Sequence, residues 1–166
     1  MSSLLMELIG SILQGGTAAR EAALALGLLI EREKVHRIAG DDGGIRVILG
    51  DEWVDRRLTD AELQTVVDEL IRYIHDVPAP DVMAVWALTK SYESRIVPAL
   101  IELLERVLTD KAQENLAYQA LIGIINTGLA SPYQDLAITA VQQAARQGQG
   151  RVQETASEYL RRHGSI

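Results

Sequence analysis

Ala22-Ala23-Leu24-Ala25-Leu26-Gly27 is the stretch on which the fold turns. Alanines three residues apart, followed by leucine, place small side chains on one helical face. A second helix can approach closely there, and the leucine can interlock with it. The device returns as Ala84-Val85-Trp86-Ala87-Leu88 and Ala117-Tyr118-Gln119-Ala120-Leu121, with a degenerate copy running from Ala156 through Tyr159 to Leu160. Successive starts at residues 22, 84, 117 and 156 lie 62, 33 and 39 residues apart. Such recurrence marks a helical repeat array of four units, the first enlarged by an inserted segment.

The punctuation between these copies supports paired helices. An apolar stripe at positions 4, 5, 8, 9, 12 and 13 predicts a first helix that covers one end of the core and is ended by Gly15-Gly16. Thr17 is placed to cap a second helix that runs to about Glu33. From 34 to 58 the rhythm breaks: Gly40, Gly43, Gly44 and Gly50 separate the β-branched runs Val35–Ile38 and Ile45–Leu49, which predicts a small β-hairpin turning at Asp41-Asp42-Gly43-Gly44, or an irregular insertion. Thr59-Asp60-Ala61-Glu62 reads as a capping box, in which hydroxyl and carboxylate reciprocally satisfy N–H groups at a helix start. Leu63, Val66, Val67, Leu70, Ile71 and Ile74 form the buried stripe that follows, until Val77-Pro78-Ala79-Pro80 stops the helix. Further helices are expected after Asp81, after Ser94 or from Pro98, from Asp110 to Asn126-Thr127-Gly128, after Ser131-Pro132, and from Arg151 to His163.

A chain of 166 residues fits one domain over 1–166. Hydrophobic residues make up 48% of it but aromatics only 4%, with no Phe, so the interior must be built of small aliphatic groups, which suits tightly stacked helices. A net charge of -7 opposes general nucleic-acid binding, which needs cations to displace counterions, and makes a basic protein the natural partner. The absence of cysteine excludes disulfides and thiolate sites, and fits a reducing cytoplasm. The apolar opening contains Glu7 and is too short to span a bilayer, so neither a signal peptide nor a membrane span is expected.

Ala22-Ala23-Leu24-Ala25-Leu26-Gly27, together with Val97-Pro98-Ala99-Leu100-Ile101, resembles the HEAT-like, armadillo-type helical repeat family: an Ala-Ala-x-Ala-Leu-Gly signature on the first helix of a pair and a Pro-x-Leu near the start of the second. The resemblance covers most of the chain outside 34–58. It implies an all-α fold, an α-solenoid of about four HEAT-like helix pairs with the insertion at 34–58, and a scaffold that binds macromolecules along its second helices. Some members of that family are enzymes. The di-iron branch uses repeated His-Glu pairs, whereas His36, His75 and His163 here precede Arg37, Asp76 and Gly164. The alkylpurine glycosylase branch needs a basic, aromatic-bearing face, which this acidic chain lacks; no local pattern decides for or against a bilin lyase-like activity.

No serine-nucleophile elbow, phosphate-binding lysine loop or His-Glu-x-x-His helix occurs. Asp41, Asp42, Asp51, Glu52 and Asp55 lack the alternating spacing of a calcium loop and read as a solvated acidic segment, so no metal or cofactor is expected. Trp53, among those acids, is either a ring pinning the insertion onto the core or an exposed anchor for a partner. Asp68, Arg72, Glu102, Glu105, Gln142 and Arg146 should face outward together if the second helices stack, as a solvated face or as a groove. The expected function is therefore a non-catalytic protein-binding module with an acidic surface, such as an immunity or antitoxin-like inhibitor of a basic toxin. The competing readings are a HEAT-like enzyme or small-molecule binder and a structural homo-oligomer.

Overall fold

Helix-forming periodicity and local caps account for most of the architecture in a computed structural model that describes residues 2–164. Ser2 caps α1 (Ser3–Gln14). Then α2 (Gly16–Ala39) runs to Gly40, whose φ of 82° places it in the left-handed region while its N–H bonds the His36 carbonyl. Two short strands, β1 (Ile48–Leu49) and β2 (Glu52–Trp53), pair antiparallel with Ile48 opposite Trp53. The helical series resumes with α3 (Asp60–Asp76), α4 (Val82–Thr89), α5 (Val97–Val107), α6 (Glu114–Thr127), α7 (Gln134–Gln147) and α8 (Gly150–His163). Short 3₁₀ turns over Ser94–Ile96, Lys111–Gln113 and Gly128–Ala130 join the later helices.

Packing follows an alternating order. α1 lies on α2, α3 on α4, α5 on α6 and α7 on α8, while α2, α4, α6 and α8 touch in succession, as do α1, α3, α5 and α7. The helices thus form two rows of alternate elements. Each copy of the Ala-x-x-Ala-Leu device falls in the α2–α4–α6–α8 row, where Ala22, Ala25, Ala84, Ala87, Ala117, Ala120 and Ala156 are buried along with Leu26, Leu88 and Leu121. Small side chains let these backbones approach: an added Cβ on Gly27 would stand 3.0 Å from the Ala87 Cα. Ala87→Leu and Ala120→Leu are each expected to destabilise the fold by roughly 1 to 3 kcal/mol through overpacking. Urea unfolding checks this, and unchanged midpoints would show that these alanines do not sit at helix crossings.

The local signals of α3 and α4 are realised atom by atom. The Glu62 N–H donates to Thr59 Oγ1 at 3.2 Å and the Thr59 N–H donates to Glu62 Oε2 at 3.1 Å, closing the capping box. Asp81 accepts from the Met83 N–H at 2.8 Å at the start of α4. α5 starts at Val97 with Pro98 in its first turn, and Ser94 opens only the preceding 3₁₀ turn.

Residues 34–58 depart from expectation in two ways. Val35–Ile38 is not a strand: α2 continues through it to Ala39, and its start at Gly16 has no Thr17 side-chain cap. The hairpin turns at Gly50-Asp51, with Gly50 at φ 62°, rather than at Asp41-Asp42-Gly43-Gly44. That glycine cluster is still a turn, held by Asp41 and Asp42 carboxylates accepting from the Gly43 and Gly44 N–H groups at 2.9 Å, but it joins a helix end to an extended segment. On α7, Leu136 is exposed and Ala137 takes the core position.

Candidate functional site

The α1–α3–α5–α7 row carries an open groove between α3 and α5. Asp68, Arg72 and His75 recur at helical spacing on α3; Arg95, Glu102 and Arg106 face them from the turn before α5 and from α5 itself. Together these six enclose a shallow groove of about 370 Å³, floored by Ile71, Ile74, Pro98 and Ala99. Three of the sequence-derived candidates, Asp68, Arg72 and Glu102, are therefore brought together. Glu105 and Arg146 are exposed or half-exposed but do not line it, and Gln142 on α7 is half-buried.

Most charge in this groove is already engaged. Arg95 pairs with Asp68 and, at 2.6 Å, with Glu93. Arg106 donates to the carbonyls of Ile74 at 2.7 Å, Val77 at 3.1 Å and His75 at 3.3 Å, satisfying the otherwise unpaired C-terminal end of α3. The Asp76 carboxylate beside His75, and that of Glu102 across the groove, hold its imidazole above the ordinary histidine range. Arg72 pairs with Glu69 at 2.8 Å while its side chain stays 64% exposed. Arg95, His75 and Arg106 are not singled out by the sequence, although their positions relative to Asp68 and Glu102 follow one helical face on each element.

Trp53 lies apart from that groove. It is 56% exposed on β2, so the ring does not pin the insertion onto the core; the Arg46 guanidinium lies 4.9 Å from its centroid instead. Trp86, by contrast, packs partly buried against the helical core.

What fastens the insertion is a polar cluster at the C-terminal part of α2. Glu33 is buried and accepts from Arg57 Nε at 2.7 Å, Arg57 Nη2 at 2.9 Å, Arg37 Nε at 2.8 Å and the Leu58 N–H at 3.1 Å. The Arg57 bonds above all, helped by Arg37 and the Leu58 amide, outweigh burial and hold the Glu33 carboxyl down at about 2. Beside it, the buried Arg32 donates to the carbonyls of Val54 at 3.0 Å and Arg56 at 2.7 Å. These bonds all go to backbone or to fixed side-chain partners, so the cluster is a fastening for 54–58.

On the other row, a depression of about 500 Å³ contains Arg20, Asp81, Tyr118 and Arg151. Arg151 lies 4.1 Å over the Tyr118 ring and donates to Asn115 at 2.6 Å. Among the described residues no group of three or more histidine, cysteine, aspartate or glutamate side chains is arranged to hold a metal ion, and no helix is long and apolar enough to cross a membrane. Comparison with protein-family models, curated proteins and solved structures finds no match.

Proposed function

We propose that this chain is a HEAT-like α-solenoid working in the cytoplasm as a non-catalytic protein-binding module, with an acidic surface suited to a basic partner. An immunity or antitoxin-like inhibitor of a basic toxin is the specific form that size and charge favour. The observation that carries the binding reading is the open groove between α3 and α5, where charged side chains of both signs surround an apolar floor of Ile71, Ile74, Pro98 and Ala99; the preference for a basic partner rests on the net charge of -7. Shallow grooves of that make-up suit a side chain or helix from another protein, with charge setting its approach and register. The two-row stacking supports the solenoid reading, because alternate helices of a repeat array line opposite faces.

Once a partner is in hand, Asp68→Arg combined with Glu105→Arg is expected to weaken association roughly tenfold or more at low salt and to flatten its salt dependence. Calorimetric titration at several ionic strengths measures both. Asp68 and Glu105 are exposed, so the variant should unfold within about 1 kcal/mol of the parent. Undiminished affinity in a folded variant would remove this face from consideration. A second reading, the homo-oligomer, is favoured by Met6 and Leu13, each 59% exposed on α1. A mass that rises with protein concentration and falls back on Met6→Ser/Leu13→Ser would support it.

A further inference from the structure

The geometry points to the face built from Leu24, Ile48 and Trp53 as a docking surface for a basic, arginine-bearing segment of a protein partner. The inference rests on the protein-binding reading above but concerns a different surface, and it names the chemistry of the occupant.

Three large apolar side chains meet there in the open. Because Ile48 and Trp53 are directly opposite in the antiparallel pair, their side chains leave the ribbon on the same side. Ile48 also shares a depression of about 220 Å³ with Leu24 and Leu49. Exposures of 44% for Leu24, 60% for Ile48 and 56% for Trp53 leave a contiguous apolar ridge in water, on a chain with few large aromatics. Such a ridge is the usual centre of an interface.

The charges around it select the partner. Glu21 lines the same depression and Asp51 sits at the turn beside Gly50, while Glu52, opposite Leu49, leaves the ribbon on the side away from Trp53. All three are exposed, and none enters an ion pair among the described residues. That separates them from the acids in the α3–α5 groove, and from Glu33, which are compensated within the chain. The single cation at this face, Arg46, lies over the Trp53 ring, also without a carboxylate partner among the described residues. The ring thus already holds a guanidinium against its π face, in a setting of unpaired negative charge.

An incoming arginine displaces Arg46 from Trp53 while a neighbouring aliphatic side chain enters the Leu24–Ile48 depression. Glu21 and Asp51 then meet the cations they lack. A second copy of this chain is a poorer occupant, since an isologous contact would set the same carboxylates against each other. Nucleic acid and anionic lipid are repelled for the same reason.

The test is a calorimetric titration of the full chain with a short peptide alternating arginine and leucine, and with the counterpart in which lysine replaces arginine. Trp53→Ala should weaken the arginine peptide about tenfold or more, as loss of an aromatic anchor does. The lysine peptide should bind several-fold more weakly, because a compact ammonium stacks less well than a planar guanidinium. Arg46→Ala should tighten binding by about threefold, since the intramolecular competitor is gone. Should Trp53→Ala prove misfolded, Glu21→Gln/Asp51→Asn at the exposed rim replaces it, with an expected several-fold loss. Equal affinity of the two peptides, or of parent and folded Trp53 variant, would reduce the effect to bulk acidity and overturn the inference, as would weaker binding by Arg46→Ala. The Asp68→Arg/Glu105→Arg variant should bind the arginine peptide as the parent does. A protein partner that responds to that double change but ignores Trp53→Ala would sink the hairpin dock and leave the broader reading standing.

Discussion

Glu33→Ala is expected to lower the unfolding free energy at neutral pH by about 3 kcal/mol, near the lower end of the range for removing one partner from a buried ion pair. The carboxylate is only 3% exposed and serves Arg57, Arg37 and the buried Leu58 amide at once. Its removal strands two guanidinium groups and one main-chain donor. Arg57 and Arg37 are 51% and 35% exposed and can turn to water, which keeps the cost from rising further. The same site sets an acid-sensitive component of stability. Glu33 moves from an ordinary 4.5 to about 2 in the folded chain, a difference worth on the order of 3 kcal/mol. Because the folded value is the lower one, the contribution is fully present above about 4.5 and is lost as pH falls toward 2. Urea titrations of the parent and Glu33→Gln should therefore show a gap at pH 7 that closes through this acid window. A gap independent of pH would mean that packing, and not the ionised carboxylate, accounts for the difference.

Gly27→Ala should cost about 2 to 3 kcal/mol, although alanine is the better helix former by about 1 kcal/mol. A Cβ at Gly27 would stand 2.8 Å from Cε3 of Trp86, closer still to Cζ3, and 3.0 Å from the Ala87 backbone. The partly buried indole is a rigid plate and the Ala87 main chain cannot give way by a rotamer change, so relief requires shifting α4 away from α2. Gly10 supplies the contrast: it lies within α1, and nothing approaches an added Cβ there within 4 Å. Gly10→Ala should stabilise by about 0.5 to 1 kcal/mol. Thermal and chemical unfolding of both variants measures the opposition in sign, and stabilisation by both would show that α2 and α4 do not meet at Gly27.

Local interactions make much of the helical architecture legible in the amino-acid sequence itself. The Thr59–Glu62 box and the Asp81 cap close within a few residues, and Pro78 and Pro80 forbid continuation by their own covalent geometry. The stripe from Leu63 to Ile74 and the alanine pairs of α2, α4 and α6 need only the helical period to reveal their buried faces. Tertiary contacts decide the rest. α2 runs on to Ala39 while Arg32 and Glu33 bind residues 54–58, more than twenty positions away, and no short window of sequence contains both sides of that contact. Val35–Ile38 has strand-like residues, but burial and hydrogen bonding at the preceding turn override a propensity difference of a fraction of a kcal/mol.

The candidate surfaces divide in the same way. Asp68, Arg72 and Glu102 can be placed on outward helix faces from their spacing, yet their meeting in one groove depends on α3 lying beside α5. Trp53 is open to two readings in the sequence because an indole serves equally as a core plug or as a surface anchor. Its exposure is settled by the two-residue turn at Gly50-Asp51, which sends Ile48 and Trp53 out on one side of the ribbon while Leu49 packs toward the core. Helices and their caps are short-range hydrogen-bonding problems that a sequence can solve alone; which charges meet, and which apolar groups stay in water, depends on distances that exist only once the rows have stacked.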